Sequence, residues 1–233
     1  GNLAPRRRYS QGGRFDMIEF SRDGDIWTAT INRPEKANSL THEMLVSLAG
    51  FMEDAQAARA VILTGNGKVF SAGADLDEAR AGLATSTIWE RLSGAIAALP
   101  GLSICALNGT LAGGAMGMGL ACDMRIAVPS AKFFYPVMKL GFLPQPSDPA
   151  RMVALIGPAR TKLILMGGQK ITAEEALMYG LVDRIVEPDA LLETAHDIAA
   201  LTVAAAPEIA NQIKAMCAAE PLSTDDLGAA RIG

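Results

Sequence analysis

The chain has 233 residues, half of them hydrophobic and a fifth charged, with 23 glycines and 12 prolines. With roughly 150 residues per domain as a prior, this is one large domain or one domain with a small appendage, and the composition excludes disordered, collagen-like and disulfide-scaffold classes. Lysine plus arginine number 21 against 25 acids, a formal charge of −4, which argues against nucleic acid or an anionic membrane as a partner.

Residues 1–16 contain Arg6, Arg7, Arg8 and Arg14 with no apolar run behind them, so they are read as a flexible arm or expression-derived residues, with Met17 a candidate start. From there, residues 18–21 and 26–31 are short β-rich runs around the turn cluster Arg22-Asp23-Gly24-Asp25, a hairpin. Ser39 or Thr41 caps a predicted helix reaching about Ala58, with Met44, Leu45, Leu48 and Met52 at helical spacing. Residues 60–64 (AVILT) suit a buried central strand, ended by Gly65-Asn66-Gly67.

Residues 70–82 form a Gly/Ala-rich loop entering a helix, and 87–99 a second helix closed by Pro100-Gly101. Residues 104–107 are a short buried strand, 110–122 a small-residue helix packed on a sheet, and 124–128 a strand. Beyond Asp148 the pattern turns helical at 149–156, 159–166, 173–179 and 190–201, with 181–186 extended. No internal sequence repeat is evident. Strand, glycine loop and helix alternate, so the class is α/β.

Several chemistries fail on spacing. Gly65-Asn66-Gly67-Lys68-Val69 lacks the spacing and hydroxyl residue of a P-loop, and no G-x-G-x-x-G follows a strand. His42-Glu43-Met44-Leu45 begins like a zinc-protease helix, but Val46 stands where the second histidine belongs. There is no G-x-S-x-G elbow, and His42 and His196 read as helix-surface residues. Cys105, Cys122 and Cys217 are far apart, which suggests neither a zinc pair nor a disulfide framework but reduced thiols in a cytoplasmic protein. The apolar stretches fall short of the roughly 20 residues a membrane span needs.

Two small-residue loops remain: Phe70-Ser71-Ala72-Gly73-Ala74-Asp75-Leu76, and residues 108–117 (NGTLAGGAMG). Each follows a buried strand and opens a helix, so each can aim backbone N–H groups at one developing negative charge. Bulky side chains would block that approach. The alternative for each loop alone is tight helix–sheet packing.

Taken together the loops resemble the crotonase superfamily, the enoyl-CoA hydratase/isomerase family. The resemblance runs from about Met17 to Val186, on INRPEKANSL (31–40), FSAGADL (70–76), LNGTLAGGAMGMGLACD (107–123) and GLVDRIV (180–186). It implies a crotonase-like spiral of ββα units over 17–185 and a helical C-terminal region over 186–233, in which the last helices look shortened. It also implies a homotrimer or dimer of trimers, and an acyl-CoA thioester substrate with no cofactor beyond the coenzyme A it carries. A thioester enolate would be held by the backbone N–H groups of Ala74 and Gly114, with Ala72, Asp75, Leu76, Gly113 and Val137 along the substrate. Arg33, Pro34 and Ala37, together with Ala72 of the first loop, would lie near the adenine and pantetheine end, with Arg33 or Lys36 meeting the CoA phosphates.

Hydratases of that family use two glutamates, and by motif position these fall on Gly117 and Val137, neither of which can move a proton. Isomerase, decarboxylase or thioesterase chemistry is therefore expected ahead of hydration, and a non-catalytic acyl-CoA-binding protein is the alternative. Asp148 is the nearest replacement acid, although Ser147 or Asp148 before Pro149 also suits a helix cap. Tyr135 could bond a substrate group or simply pack. Asp75, Asp77 and Glu78 are further proton-carrier candidates, or carboxylates at a helix start.

Overall fold

The computed structural model describes residues 17–218. Strands β1 (Ile18–Asp23) and β2 (Ile26–Ile31) form the expected antiparallel hairpin, turning through Gly24 at φ +58°. Helix α1 (His42–Asp54) is capped by Thr41, whose hydroxyl accepts from the Met44 N–H at 3.2 Å; Ser39 is not the cap. A 3-10 turn over Ala55–Ala57 continues it, so the regular helix stops short of Ala58. Met44, Leu45, Leu48 and Met52 are all buried, as their spacing predicts.

Three similar turns of chain follow. The first runs β3 (Ala60–Gly65), β4 (Val69–Ser71), α2 (Leu76–Arg80) and α3 (Ile88–Ala97). In the second, β5 (Leu102–Leu107), β6 (Thr110–Ala112) and a 3-10 turn lead into α4 (Met116–Ala121). The third comprises β7 (Met124–Ala127), β8 (Lys132–Phe134), α5 (Val137–Leu140) and α6 (Asp148–Leu165). The first strand of each turn joins a six-stranded sheet ordered β1-β2-β3-β5-β7-β10, in which β10 is Arg184–Ile185, and the second joins a four-stranded sheet ordered β4-β6-β8-β9, in which β9 is Ile171–Thr172. Successive turns pair in parallel in both sheets. This is the ββα spiral of the crotonase fold, a structural repeat without a sequence repeat.

One expectation needs correction. Residues 110–122 are not one helix: Thr110–Ala112 pair as β6, Gly113 turns at φ +60°, and α4 begins only at Met116. The short strands β4, β6 and β8 escape a reading by periodicity because three residues cannot display a period of two. The helices expected over 149–156 and 159–166 are both present within α6, divided at Gly157, whose φ of +82° and ψ of 169° are not helical.

Beyond it, β9 (Ile171–Thr172) leads into α7 (Ala173–Tyr179), which starts on a capping box of Thr172 and Glu175. Strand β10 (Arg184–Ile185) precedes α8 (Leu191–Ala204) and α9 (Pro207–Met216), the last not foreseen. The arm over 1–16 and the end of the C-terminal region lie outside the described residues.

The core fills the space between the larger sheet and the helices, around Ile31, Leu45, Leu48, Phe51, Ile62 and Leu63. Arg125 is buried there, with its guanidinium donating to the carbonyls of Leu181, Gly119 and Cys122 at 2.7–2.8 Å. It joins the end of α4 to the segment before β10. Asp123 ties the same corner to β5 by accepting from Ser103 N–H, while its own N–H donates to Ser103 Oγ, both at 2.8 Å. Among the described residues no helix is long and apolar enough to cross a membrane, and no group of metal-ligating side chains gathers.

Candidate active site

The two small-residue loops leave β4 and β6, neighbouring parallel strands, so they emerge side by side at one end of the smaller sheet. Their contact is glycine against backbone. A β-carbon on Gly73 would lie 3.1 Å from Ala112 O, 3.4 Å from Gly113 Cα and 3.6 Å from Gly114 N, and Gly73 itself sits at φ +97°. Only glycine meets both demands.

Ala74 is oriented by Leu40. The Leu40 N–H donates to Gly73 O at 2.8 Å and Leu40 O accepts from the Asp75 N–H at 2.9 Å, a single parallel bridge. In that geometry Leu40 takes the groups on either side of Ala74, so the Ala74 N–H points the other way, toward a cleft that Ala74 lines. Gly114 lies in the first turn after β6, where N–H groups have no intrahelical partner, and it lines the same cleft. The Trp89 ring would meet a β-carbon on Gly114 at 3.2 Å, and its indole N–H is held by Leu83 O at 2.8 Å.

The cleft holds about 230 Å³. Its walls are Ala72, Ala74, Gly113 and Gly114 on one side and Tyr135, Pro136, Val137, Leu140, Phe142, Leu143 and Gln145 on the other, with Leu76, Ala79, Ala84 and Trp89 between. Ala72, Ala74, Leu76, Gly113, Gly114, Tyr135 and Val137 are thus brought together as the sequence indicates. Tyr135 is the one titratable side chain among these wall residues.

Asp148 stands directly behind it. The Tyr135 hydroxyl donates to Asp148 Oδ2 at 2.8 Å and accepts from the Gln145 N–H at 3.0 Å. Asp148 is 1% exposed, and its Oδ1 has no hydrogen-bond partner. Burial pushes its carboxyl up to about 6, against the bond from Tyr135, and the Glu90 charge adds to the rise. Burial and the Asp148 charge also push the Tyr135 phenol well above its ordinary value.

The capping role expected for Ser147 or Asp148 is absent: Ser147 occupies the cap position without a side-chain cap bond, and Asp148 turns to Tyr135 instead. Glu90 on α3 receives both the N–H and the hydroxyl of Ser147, which clamps the start of α6. Nothing in the sequence links Glu90, Tyr135 and Asp148, because the loop of 141–147 that joins them has no periodic pattern.

The remaining candidates lie elsewhere. Arg33 is held against the first loop: its Nη1 donates to Asp75 Oδ2 at 2.9 Å and to the carbonyl and hydroxyl oxygens of Ser39 at 3.2 Å. Asp75 is no proton carrier, since it caps α2 by accepting from the N–H groups of Asp77 and Glu78, and the Arg33 guanidinium holds its carboxyl below the usual range. Glu78 accepts from the His42 N–H, and Asp77 is exposed. Lys36 is exposed, and Ala37 adopts φ +52° with its carbonyl accepting from the Ala72 N–H at 3.0 Å.

Buried Asn38 braces the same loop. It accepts from the Arg33 N–H at 2.8 Å and donates to Asn66 O and Val69 O at 2.9 and 2.7 Å. The sequence reading missed it, although an asparagine closing a short turn is a fair signal for the left-handed φ of +53° seen here.

Comparison with known proteins shows the family. The family described as enoyl-CoA hydratase/isomerase matches residues 21–228. The chain belongs to that family. It is 35% identical to the short-chain-enoyl-CoA hydratase of Clostridium acetobutylicum over 82% of this chain and 76% of the relative. It is 32% identical to the 1,2-epoxyphenylacetyl-CoA isomerase of Escherichia coli over 75% and 71%. The crystal structure of enoyl-CoA hydratase from Bacillus anthracis superposes with a TM-score of 0.80 at 33% identity, covering 85% of this chain and 81% of that one. As a family of hydratases and isomerases it makes this chain an acyl-CoA enzyme of lyase or isomerase type, with the particular reaction left open by relatives of both kinds.

Proposed function

We propose that the protein isomerises the double bond of an enoyl-CoA through a thioester enolate, with the N–H groups of Ala74 and Gly114 as the oxyanion donors. The observation that carries this reading is the Tyr135–Asp148 pair, which brings one acid/base relay to a cleft wall otherwise free of titratable groups. Two-carboxylate hydration needs a water held between two acids, and positions 117 and 137 offer glycine and valine. A 1,3 proton shift needs only one group that takes a proton and returns it.

The steps follow from the geometry. The thioester oxygen accepts from Ala74 and Gly114, where fixed donors in a water-poor cleft favour the enolate over the ground state. Tyr135 Oη takes the α-proton as its own proton passes to Asp148 Oδ2, which is ionised near neutral pH. The dienolate electrons shift, Tyr135 delivers a proton at the γ-carbon, and Asp148 returns the proton it took. Proton count and charge balance over the cycle.

Incubating the protein with 3-enoyl-, 2-enoyl-, malonyl- and saturated acyl-CoAs in D₂O, read by NMR, tests this. Conversion of 3-enoyl- to 2-enoyl-CoA is expected, with the α-hydrogen that Tyr135 takes carried to the γ-carbon. Hydration, decarboxylation or hydrolysis of another thioester would replace the reading, and saturable binding with no conversion of any thioester and no exchange of any α-proton would establish a binding protein. The assembly proposed, a homotrimer or pair of trimers, is read by sedimentation. The exposed Leu201, Ile209, Ile213 and Met216 on α8 and α9 supply an apolar face for it.

A further inference from the structure

We infer that the acyl group taken by this cleft is an unfunctionalised hydrocarbon chain, longer than a short-chain acyl group, whose far end lies along an apolar rim formed by Leu76, Leu140, Phe142 and Leu143. The inference deepens the acyl-CoA reading above and rests on it.

Two observations support it. The side-chain donors on the wall are already spent inside the protein: the Tyr135 hydroxyl on Asp148, the Gln145 amide nitrogen on Ala84 O at 2.8 Å, and the Trp89 N–H on Leu83 O. A hydroxyl or second carboxylate on the acyl chain would shed its water and find no cationic side chain on the wall to meet it. The second observation is the rim. Leu76 is 72% exposed, Leu140 60%, Phe142 44% and Leu143 88%, and all four also line the cleft.

Large apolar side chains contiguous with a binding cleft and open to water mark surface that a ligand covers. Continuity with the Ala74 and Gly114 N–H groups identifies the ligand as the tail of the thioester those groups would hold. Leu140, Phe142 and Leu143 sit on the α5 end and the loop before α6, the loop whose Gln145 N–H fixes Tyr135. Chain recognition and relay geometry thus share one segment.

Calorimetric binding of butanoyl-, octanoyl- and dodecanoyl-CoA to the full chain tests this without turnover. Affinity is expected to rise about fourfold per methylene, roughly 200-fold from butanoyl- to octanoyl-CoA. Octanedioyl-CoA, with its terminal carboxylate, is expected to bind far more weakly than octanoyl-CoA. Leu143→Asp, at an exposed position, should collapse the ratio between dodecanoyl- and butanoyl-CoA affinities.

Equal affinity for all chain lengths overturns the inference and leaves the thioester reading standing, whereas no binding of any acyl-CoA overturns both. If Leu143→Asp changes the sedimentation coefficient and keeps the chain-length ratio, the rim is an interface between copies and the inference is wrong.

Discussion

Asp148 Oδ1 lies 2.6 Å from the point where a β-carbon on Gly117 would stand, so the carboxylate on α6 fills the space that any side chain at position 117 of α4 would take. The two positions exclude one another. An acid reaching the relay from α6 therefore goes with glycine on α4, and the missing side chain at 117 is a condition for the Tyr135–Asp148 bond.

Gly117→Ala tests that exclusion directly. The added methyl has to displace a buried carboxylate pinned by Tyr135, an overpacking cost of about 1–3 kcal/mol set against the roughly 1 kcal/mol that alanine gains in a helix. Urea unfolding should show a net loss, and the activity attributed to the relay should fall with it. A variant as stable and active as the parent would mean that the carboxylate has other room.

The raised carboxyl of Asp148 gives a pH signature in stability. Its folded value of about 6 stands above the ordinary 3.8, so the folded protein holds this proton more tightly than the unfolded chain. The associated stability is present below pH 4 and is lost as pH rises through 6, a change of about 3 kcal/mol. Asp148→Asn mimics the protonated form, so it should be more stable than the parent at pH 7.5 and match it near pH 4. Unfolding at the two pH values checks this, and in the parent the relay's rate should rise with pH through about 6.

Tyr135→Phe removes the only titratable group on the wall and leaves Asp148 Oδ2 and the Gln145 N–H without their partner. A rate loss of about 10²–10⁴-fold is expected, with a stability loss of about 1–3 kcal/mol. Acyl-CoA affinity should hold within a few-fold, because in the proposed mode the thioester oxygen binds backbone groups on the opposite wall. Competition binding separates the two effects.

Gly73→Ala disturbs the other wall. Its φ of +97° disfavours alanine, and the new methyl would press on Ala112 O at 3.1 Å, moving the loops that present Ala74 and Gly114 apart. A fall of about 10²-fold in kcat is expected, the scale of losing one oxyanion donor. An unchanged kcat would sink the assignment of these two N–H groups.

Arg33→Ala distinguishes a phosphate ligand from a brace. Since Arg33 Nη1 is bonded to Asp75 and Ser39, the variant should lose on the order of 1 kcal/mol of stability. The salt dependence of acyl-CoA binding should stay as in the parent. A shallower salt dependence would return Arg33 to the CoA phosphates.

The sequence by itself determined the α/β class, the hairpin, the buried face of α1 and the two glycine loops. Each rests on local chemistry: alternation, helical spacing, and small residues where a chain must turn tightly. It also shows that Gly117 and Val137 carry no proton-transferring group. Only the tertiary structure decided that β4 and β6 pair and so set Gly73 against Gly113, because three-residue strands have no signature of their own. Folding likewise decided the partners of the charged residues. Arg33 and Asp75 are 42 positions apart, and Tyr135 and Asp148 are separated by a turn-rich loop. An isolated Asp before a proline satisfies the rule for a helix cap. Whether its carboxylate turns back to the helix or across to a tyrosine depends on which neighbour burial leaves unsatisfied, and that is a property of the packed molecule.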